Sequence, residues 1–295
     1  MTLPLAPPSG EPAALRALLA AGPVFAGSCY DGLSAVILEE AGWPCLSISG
    51  AGVAASLLGV PDIGLVTHSE MVDVARRIAR RVAIPVIADI DTGFGGAVNV
   101  LRTVDEFQAA GVAAVHLEDQ AFPKRCGHLT GKQIVPVDEL LEKVRAAVRA
   151  RAGSDLVVIA RTDAIAVDGI DAAIDRANRA LDAGADIAFV EAPTSVDQLV
   201  RIGREVQGPK LFNMATGGRS PSLPMAELVA LGFQLVAVPT VALFPAVDAM
   251  RRAARQVLEA ESDEPLHALE LSPMEVFELV GIGDWLGAAG ELAVP

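Results

Sequence analysis

Aromatic residues make up only 4% of this 295-residue chain, which has one tyrosine and two tryptophans. A core so poor in rings has to be filled by Ala, Val, Leu and Ile, and the hydrophobic share of 52% allows this. Such a composition suits strands buried on both faces. Cations are also scarce: 23 Lys and Arg stand against 37 Asp and Glu, for a formal net charge of −14. That balance excludes nucleic acid, whose phosphates demand clustered basic residues, and an anionic membrane surface. An acidic small-molecule substrate needs a local basic pocket against this field. The three cysteines, Cys29, Cys45 and Cys126, form no even framework and no CxxC pair. They read as reduced thiols of a cytoplasmic protein. No apolar run reaches the roughly 18 residues of a membrane span. The opening segment Met1–Pro8 is apolar, but it lacks basic residues and is broken by prolines, unlike a signal peptide.

Short apolar runs alternate with helix-period segments from end to end. Strands are predicted at Val24–Ala26, Cys45–Ile48, Pro85–Ile90, Ala113–Leu117, Leu156–Ala160, Ile187–Val190, Lys210–Phe212 and Gln234–Val238. Amphipathic stretches such as Thr67–Arg81 and Asp171–Ala183 lie between them. Thr67 with Glu70 makes a capping box, and Gly111, Gly184 and Gly232 stand where helices should end. Repeated βα units with buried strands imply parallel pairing and right-handed crossovers, and eight of them predict an α/β fold of the (β/α)8 TIM-barrel kind. The division expected is a barrel with an N-terminal helix over 1–262 and a C-terminal helical extension over 263–295. In that extension Ser272 and Glu275 form a second capping box, with Pro273 at the first helical position.

Active sites of this fold lie at the C-terminal ends of the strands. The residues following the predicted strands are Ser49, Asp89 and Asp91, Glu118, Arg161, Glu191, Asn213 and Pro239. Asp89 and Asp91 are two apart, so an extended strand end presents both to one side. With Glu118 they make an all-oxygen site that suits Mg²⁺, or Mn²⁺ in its place, rather than zinc. Arg161 offers a bidentate fork for a substrate carboxylate; the competing expectation is a salt bridge to Glu191 or Asp163. Ser49, Gly50 and Ala51 supply a hydroxyl and close backbone approach, and Asn213 an amide. His116 reads as a hydrogen-bonded core histidine, His68 as solvated, and Cys29 and Cys45 as small core residues. The glycines of Asp91–Gly96 fail both the Walker and the dinucleotide patterns.

The run from Glu118 to His128 sets a thiol, Cys126, among Lys124, Arg125 and His128. Neighbouring cations pull a thiol toward the thiolate, and a loop closing over the barrel mouth would let Cys126 protonate a carbanion. The plainer alternative is a solvated basic loop with an incidental cysteine. A divalent metal beside an arginine reads as a site for a 2-oxo or 2-hydroxy acid.

Seven stretches, in order, resemble the isocitrate lyase and phosphoenolpyruvate mutase superfamily. They are Tyr30–Ala35, Ser49–Ala55, Gly59–Gly64, Asp89–Gly95, His116–Gln120, Lys124–His128 and Ala160–Ala164. The resemblance implies a Mg²⁺-dependent barrel in which Asp89, Asp91 and Glu118 serve the metal and Asp62 orders its water shell. It also implies that Arg161, Ser49, Gly50, Ala51 and Asn213 hold the substrate and that Cys126 is the proton donor. A homo-oligomer, a dimer of dimers, is implied, with the C-terminal helix exchanged between subunits. The cysteine motif points to lyases of the 2-methylisocitrate and 2,3-dimethylmalate kind, which release a 2-oxo acid such as pyruvate. Alternatives are a phosphonomutase of the carboxyphosphonoenolpyruvate type, whose motif is similar, and an oxaloacetate decarboxylase. A non-catalytic barrel would need no metal site and tuned thiol together. Two positions depart from the pattern: Thr216 stands where glutamate is usual, and Ser47 where methylisocitrate lyases carry a tyrosine.

Overall fold

A computed structural model describes residues 12–291 of the chain; the apolar opening segment lies outside them. The strands are β1 (Val24–Cys29), β2 (Cys45–Ile48), β3 (Val86–Asp89), β4 (Ala114–Glu118), β5 (Val157–Thr162), β6 (Ile187–Val190), β7 (Lys210–Asn213) and β8 (Leu235–Val238). Each pairs in parallel with the next, and β1 pairs with β8, so the sheet closes into a barrel. The expected TIM barrel is therefore present, and each predicted strand lies within a few residues of an observed one. β1, β4, β5 and β7 run further toward the C-terminal end than predicted, where strand hydrogen bonding continues into residues such as Glu118, Thr162 and Asn213.

The helices follow in turn: α1 (Pro12–Ala21), α2 (Gly32–Glu40), α3 (Gly50–Val53), α4 (His68–Ala79), α5 (Ala97–Ala110), α6 (Val137–Ala150), α7 (Ile170–Asp182), α8 (Val196–Glu205), α9 (Met225–Ala230) and α10 (Leu243–Ala260). Local chemistry sets their ends. At α4 the Thr67 hydroxyl accepts the Glu70 N–H while the Glu70 carboxylate accepts the Thr67 N–H at 2.8 Å. Gly111 ends α5 in the left-handed region at φ 95°, a conformation that costs glycine little.

Strand parity determines what the barrel encloses, because alternate side chains point to opposite faces. Val24 and Ala26, Cys45, Ile87, Ala114, Val157 and Ile159, Ile187 and Phe189, Leu211 and Leu235 all join one apolar cluster. Continuing each of those rows by two residues at a time reaches Ser28, Ser47, Asp89, His116 and Glu118, Arg161, Glu191, Asn213 and Ala237. The same alternation that fills the barrel floor with aliphatic groups thus delivers the polar set to its mouth. At the other end Leu15 of α1 is fully buried in the same cluster and closes the barrel floor.

Beyond α10 the chain forms α11 (Pro273–Leu279) and α12 (Ile282–Glu291), with the expected Ser272–Glu275 capping box in place. No residue of α10 or α11 is buried, and Met274, Phe277, Trp285 and Leu286 are exposed.

Candidate active site

A cavity of about 300 Å³ opens at the C-terminal ends of the strands. Its wall includes Ser49, Gly50, Ala51, Asp62, Asp89, Cys126, His128, Arg161, Glu191 and Asn213 from the sequence expectations. Gly50 is packed so tightly that a Cβ there would sit 2.6 Å from Asp89 Oδ2. The Ser49 hydroxyl accepts the Gly52 N–H at 3.1 Å and starts α3.

The acidic cluster is arranged differently from an extended strand end. Asp91 lies past β3 with φ 47°, in the left-handed region, and its N–H donates to Asp89 Oδ1 at 2.9 Å. The chain turns back there, so Asp91 and Glu118 sit behind the cavity wall rather than in it. Both are nearly inaccessible. Burial pushes the Asp91 carboxyl up to about 6 and the Glu118 carboxyl well above the usual range. For Asp89 burial also acts upward, but His116, Lys124 and Arg161 outweigh it and hold the group low.

Lys124 reaches into this cluster, its Nζ 2.5 Å from Asp62 Oδ1 and 2.7 Å from Asp91 Oδ1. Among the described residues no three His, Cys, Asp or Glu side chains are arranged to hold an ion by themselves. The donor chemistry nevertheless fits a hard divalent cation. Both Glu118 oxygens are buried and accept no hydrogen bond, although Arg161 Nη1 is 3.3 Å from one of them. Asp91 Oδ1 has the Lys124 ammonium 2.7 Å away, a positive charge where a cation would also be held. Mg²⁺ needs only one or two carboxylates when water and substrate supply the remaining oxygens.

The thiol corrects one expectation. Cys126 lies in the cavity wall, but burial pushes its pKa up rather than the cations pulling it down. The reason is where the cations go. Lys124 is committed to Asp62 and Asp91, while Arg125 is exposed and donates from Nη1 to the Thr130 carbonyl at 3.1 Å, outside the cavity. Burial thus favours the protonated form of the Cys126 thiol.

His128 does stand at the site. Its Nδ1 accepts the Arg219 N–H at 3.1 Å, which leaves Nε2, 3.2 Å from Glu191 Oε1, to carry the proton. Asn213 Nδ2 donates to Glu191 Oε1 at 3.2 Å. Burial would push the Glu191 carboxyl up, but Arg161 and His128 together hold it low.

The fork of Arg161 is not free. Nε and Nη2 donate to Asp163 at 2.9 and 3.2 Å, so the competing salt bridge is the one formed, while the guanidinium still lines the cavity and lies over the Phe189 ring. His116 is not a hydrogen-bonded core residue. It lines the cavity, and its Nδ1 is 3.6 Å from Asp89 Oδ1 with no hydrogen-bond partner. Its parity with Ala114 and Glu118 was the signal available in the sequence. His68 is half-buried against the Phe94 ring instead of solvated. Cys29 and Cys45 are fully buried, as expected.

Sequence reasoning did not single out the apolar part of the wall, formed by Phe189, Leu211, Leu243 and Phe244, nor the buried supports Asp119 and Lys132. Asp119 accepts from the Thr162 hydroxyl, the Asp163 N–H and Arg176.

Comparison with known proteins places this geometry. The sequence pattern of phosphoenolpyruvate phosphomutase matches residues 15–258. A 2,3-dimethylmalate lyase of Eubacterium barkeri is 45% identical over 227 residues, covering 77% of this chain and 78% of the relative. The chloroplastic carboxyvinyl-carboxyphosphonate phosphorylmutase of Arabidopsis thaliana is 42% identical over 269 residues, covering 90% and 79%. A crystal structure of 2,3-dimethylmalate lyase superposes with a TM-score of 0.91 at 38% identity, covering 99% of this chain and 96% of that one. At these identities and over this much of its length, the chain is an enzyme of the phosphoenolpyruvate phosphomutase family.

Proposed function

We propose a substrate class for this carbon–carbon lyase: a branched 2-hydroxy dicarboxylate of the 2,3-dimethylmalate kind, split into a 2-oxo acid and a second carboxylate. The observation that carries the reading is the half-buried thiol of Cys126, held in the wall of the same cavity as Asp89 and Arg161, where burial raises its pKa. The alkyl branches fit the apolar wall of Phe189, Leu211, Leu243 and Phe244. Among the described residues Arg161 is the only Lys or Arg side chain in that wall. This favours a dicarboxylate over a tricarboxylate such as 2-methylisocitrate, because a third carboxylate would find no further cation. Thr216 and Ser47, both in the wall, add hydroxyls rather than charge.

Enzymes of this family use a divalent metal. Asp89, Asp91 and Glu118 would hold Mg²⁺ or Mn²⁺, directly or through water, with Asp62 ordering that water. The ion would supply charge stabilisation for the oxygen of the 2-hydroxy acid. The chain's own residues do the rest. Arg161, fixed by Asp163, presents positive charge to a substrate carboxylate, and Gly50 and Ala51 bring the backbone close. Asn213 and His128 orient Glu191 at the other side of the cavity. The 2-hydroxyl gives up its proton to solvent as its carbon becomes the carbonyl of the 2-oxo acid. The carbon–carbon electron pair leaves with the other fragment, and that carbanion takes the proton from Cys126 Sγ, whose thiolate regains one from solvent once the products have left. The loop over the mouth excludes water, so the carbanion's proton comes from the thiol.

The test is pyruvate release from 2,3-dimethylmalate, 2-methylisocitrate, citramalate and oxaloacetate, each with and without EDTA. Metal-dependent cleavage of 2,3-dimethylmalate ahead of 2-methylisocitrate supports the reading. Turnover of a phosphonate with silence across the hydroxy acids overturns it.

A further inference from the structure

Lys132 ends the loop that carries Cys126, and it is buried: its side chain is 1% exposed. Its Nζ donates to the Gly127 carbonyl at 2.5 Å and to Asp163 Oδ1 at 2.7 Å. Asp163 is fully buried and also accepts from Arg161 Nε and Nη2, while its own N–H donates to Asp119 Oδ1 at 2.8 Å. One carboxylate therefore holds both the guanidinium in the cavity wall and the ammonium that grips the loop beside Cys126. Burial alone would push the Asp163 carboxyl up; Arg161 and Lys132 outweigh burial and keep it low, so it stays charged.

We propose that Lys132 is the positioning residue of the Cys126 loop. Anchored on Asp163, its ammonium holds the Gly127 carbonyl and so keeps Cys126 in the cavity wall.

Other ties on the loop are of a different kind. The Cys126 N–H donates to the Asp62 carbonyl at 3.1 Å, and Gln120 exchanges two hydrogen bonds with the Arg125 backbone. These two ties are neutral. The one other charged and buried tie named on the loop, Lys124 with Asp62 and Asp91, grips it from its own side chain two residues before Cys126, whereas Lys132 holds the loop backbone directly after the thiol. The Lys132 bond is charge-assisted and internal. Lifting the loop to admit substrate removes one acceptor from a buried ammonium, which penalises the open state. Gly127 is also pressed against the wall, where a Cβ would lie 2.5 Å from both Arg161 Nη2 and Glu191 Oε1. The strut thus ties loop closure to the arginine that faces the substrate.

Its importance for turnover rests on Cys126 being the acid proposed above, but the strut can be tested without substrate. The probe is iodoacetamide on the ligand-free protein at pH 8, with alkylation of each cysteine followed by mass spectrometry. Cys29 and Cys45 are fully buried and report global unfolding. In Lys132→Met, Cys126 is expected to react about 10- to 100-fold faster than in the wild type, with Cys29 and Cys45 unchanged. Losing a nearby cation lowers the thiolate fraction and would slow alkylation, so an acceleration reports opening. An unchanged or slower Cys126 rate overturns the proposal, as does a rise matched at Cys29 and Cys45. Should Lys132→Met not fold, Lys132→Gln is read by the same criteria, because a shorter, neutral amide replaces the charge-assisted bonds of the ammonium. Failure of the lyase reading would appear in product release and leave these labelling rates untouched.

Discussion

Gly127→Ala isolates the fit of the Cys126 loop with a single methyl group. Gly127 has no left-handed φ, so backbone strain is not at issue and only space decides. The added Cβ would meet Arg161 Nη2 and Glu191 Oε1 at 2.5 Å and Glu191 Cγ at 2.6 Å. Ordinary contact begins near 3.5 Å, so the loop must retreat by about 1 Å. Arg161 and Glu191 cannot yield instead, because Asp163 and Asn213 hold them. A misplacement of about 1 Å in a reacting group costs roughly 10²-fold in rate, and overpacking of this kind destabilises by about 1–3 kcal/mol. The assay is kcat for release of the 2-oxo acid, paired with urea unfolding. Gly96→Ala is the control, since a Cβ there meets nothing within 4 Å. Wild-type turnover in Gly127→Ala would show that the closed loop is not the working state.

Cys126→Ala is expected to lose about 10²–10⁴-fold in turnover, and near-normal turnover would reject the thiol as the proton donor. The donor must be protonated and burial raises its pKa, so activity should persist through pH 8 and fall only above the usual thiol value of about 8.5. Lys124→Met breaks a buried ion pair and should destabilise the EDTA-treated protein by about 3–5 kcal/mol. Added Mg²⁺ should recover part of that loss in urea unfolding, because the remaining carboxylates attract a cation. Leu15→Ala should lower stability by about 2–5 kcal/mol and leave kcat unchanged below the melting temperature, being at the opposite end of the barrel. Light scattering is expected to give a multiple of 30.5 kDa, consistent with an exchanged C-terminal extension; a monomer mass would remove that proposal.

The barrel was legible because burial on both faces of parallel strands leaves short aliphatic runs, and helix ends carry their own chemistry at Thr67, Gly111 and Ser272. The polar ring at the mouth was legible for a related reason: the inward rows that are aliphatic lower in the barrel turn polar at the strand ends, where a functional cavity can use the charge. What stayed hidden was pairing. Spacing placed Asp91 beside Asp89, but only the backbone shows the left-handed turn that draws it behind the wall. Composition put three cations around Cys126, yet Lys124 has carboxylate partners on other segments and Arg125 bonds within its own loop. Arg161 offered a free fork until Asp163, two residues on, was seen to occupy it. The turn at Asp91 and the partners of Lys124 are set by the fold, whereas Arg125 and Arg161 find theirs within five residues, and the Asp163 bridge was one of the two readings the sequence offered.

Because Leu15 and α1 seal the barrel floor, whatever enters the cavity must leave by the door through which it came. A lyase that makes two products from one substrate then has a queue. On the proposed roles, the fragment protonated by Cys126 would stand next to the exit and the 2-oxo acid, beside Asp89, behind it. Departure is then expected to be ordered, with the 2-oxo acid last. Product inhibition should show that order, the 2-oxo acid competing directly with substrate and the other carboxylate inhibiting noncompetitively.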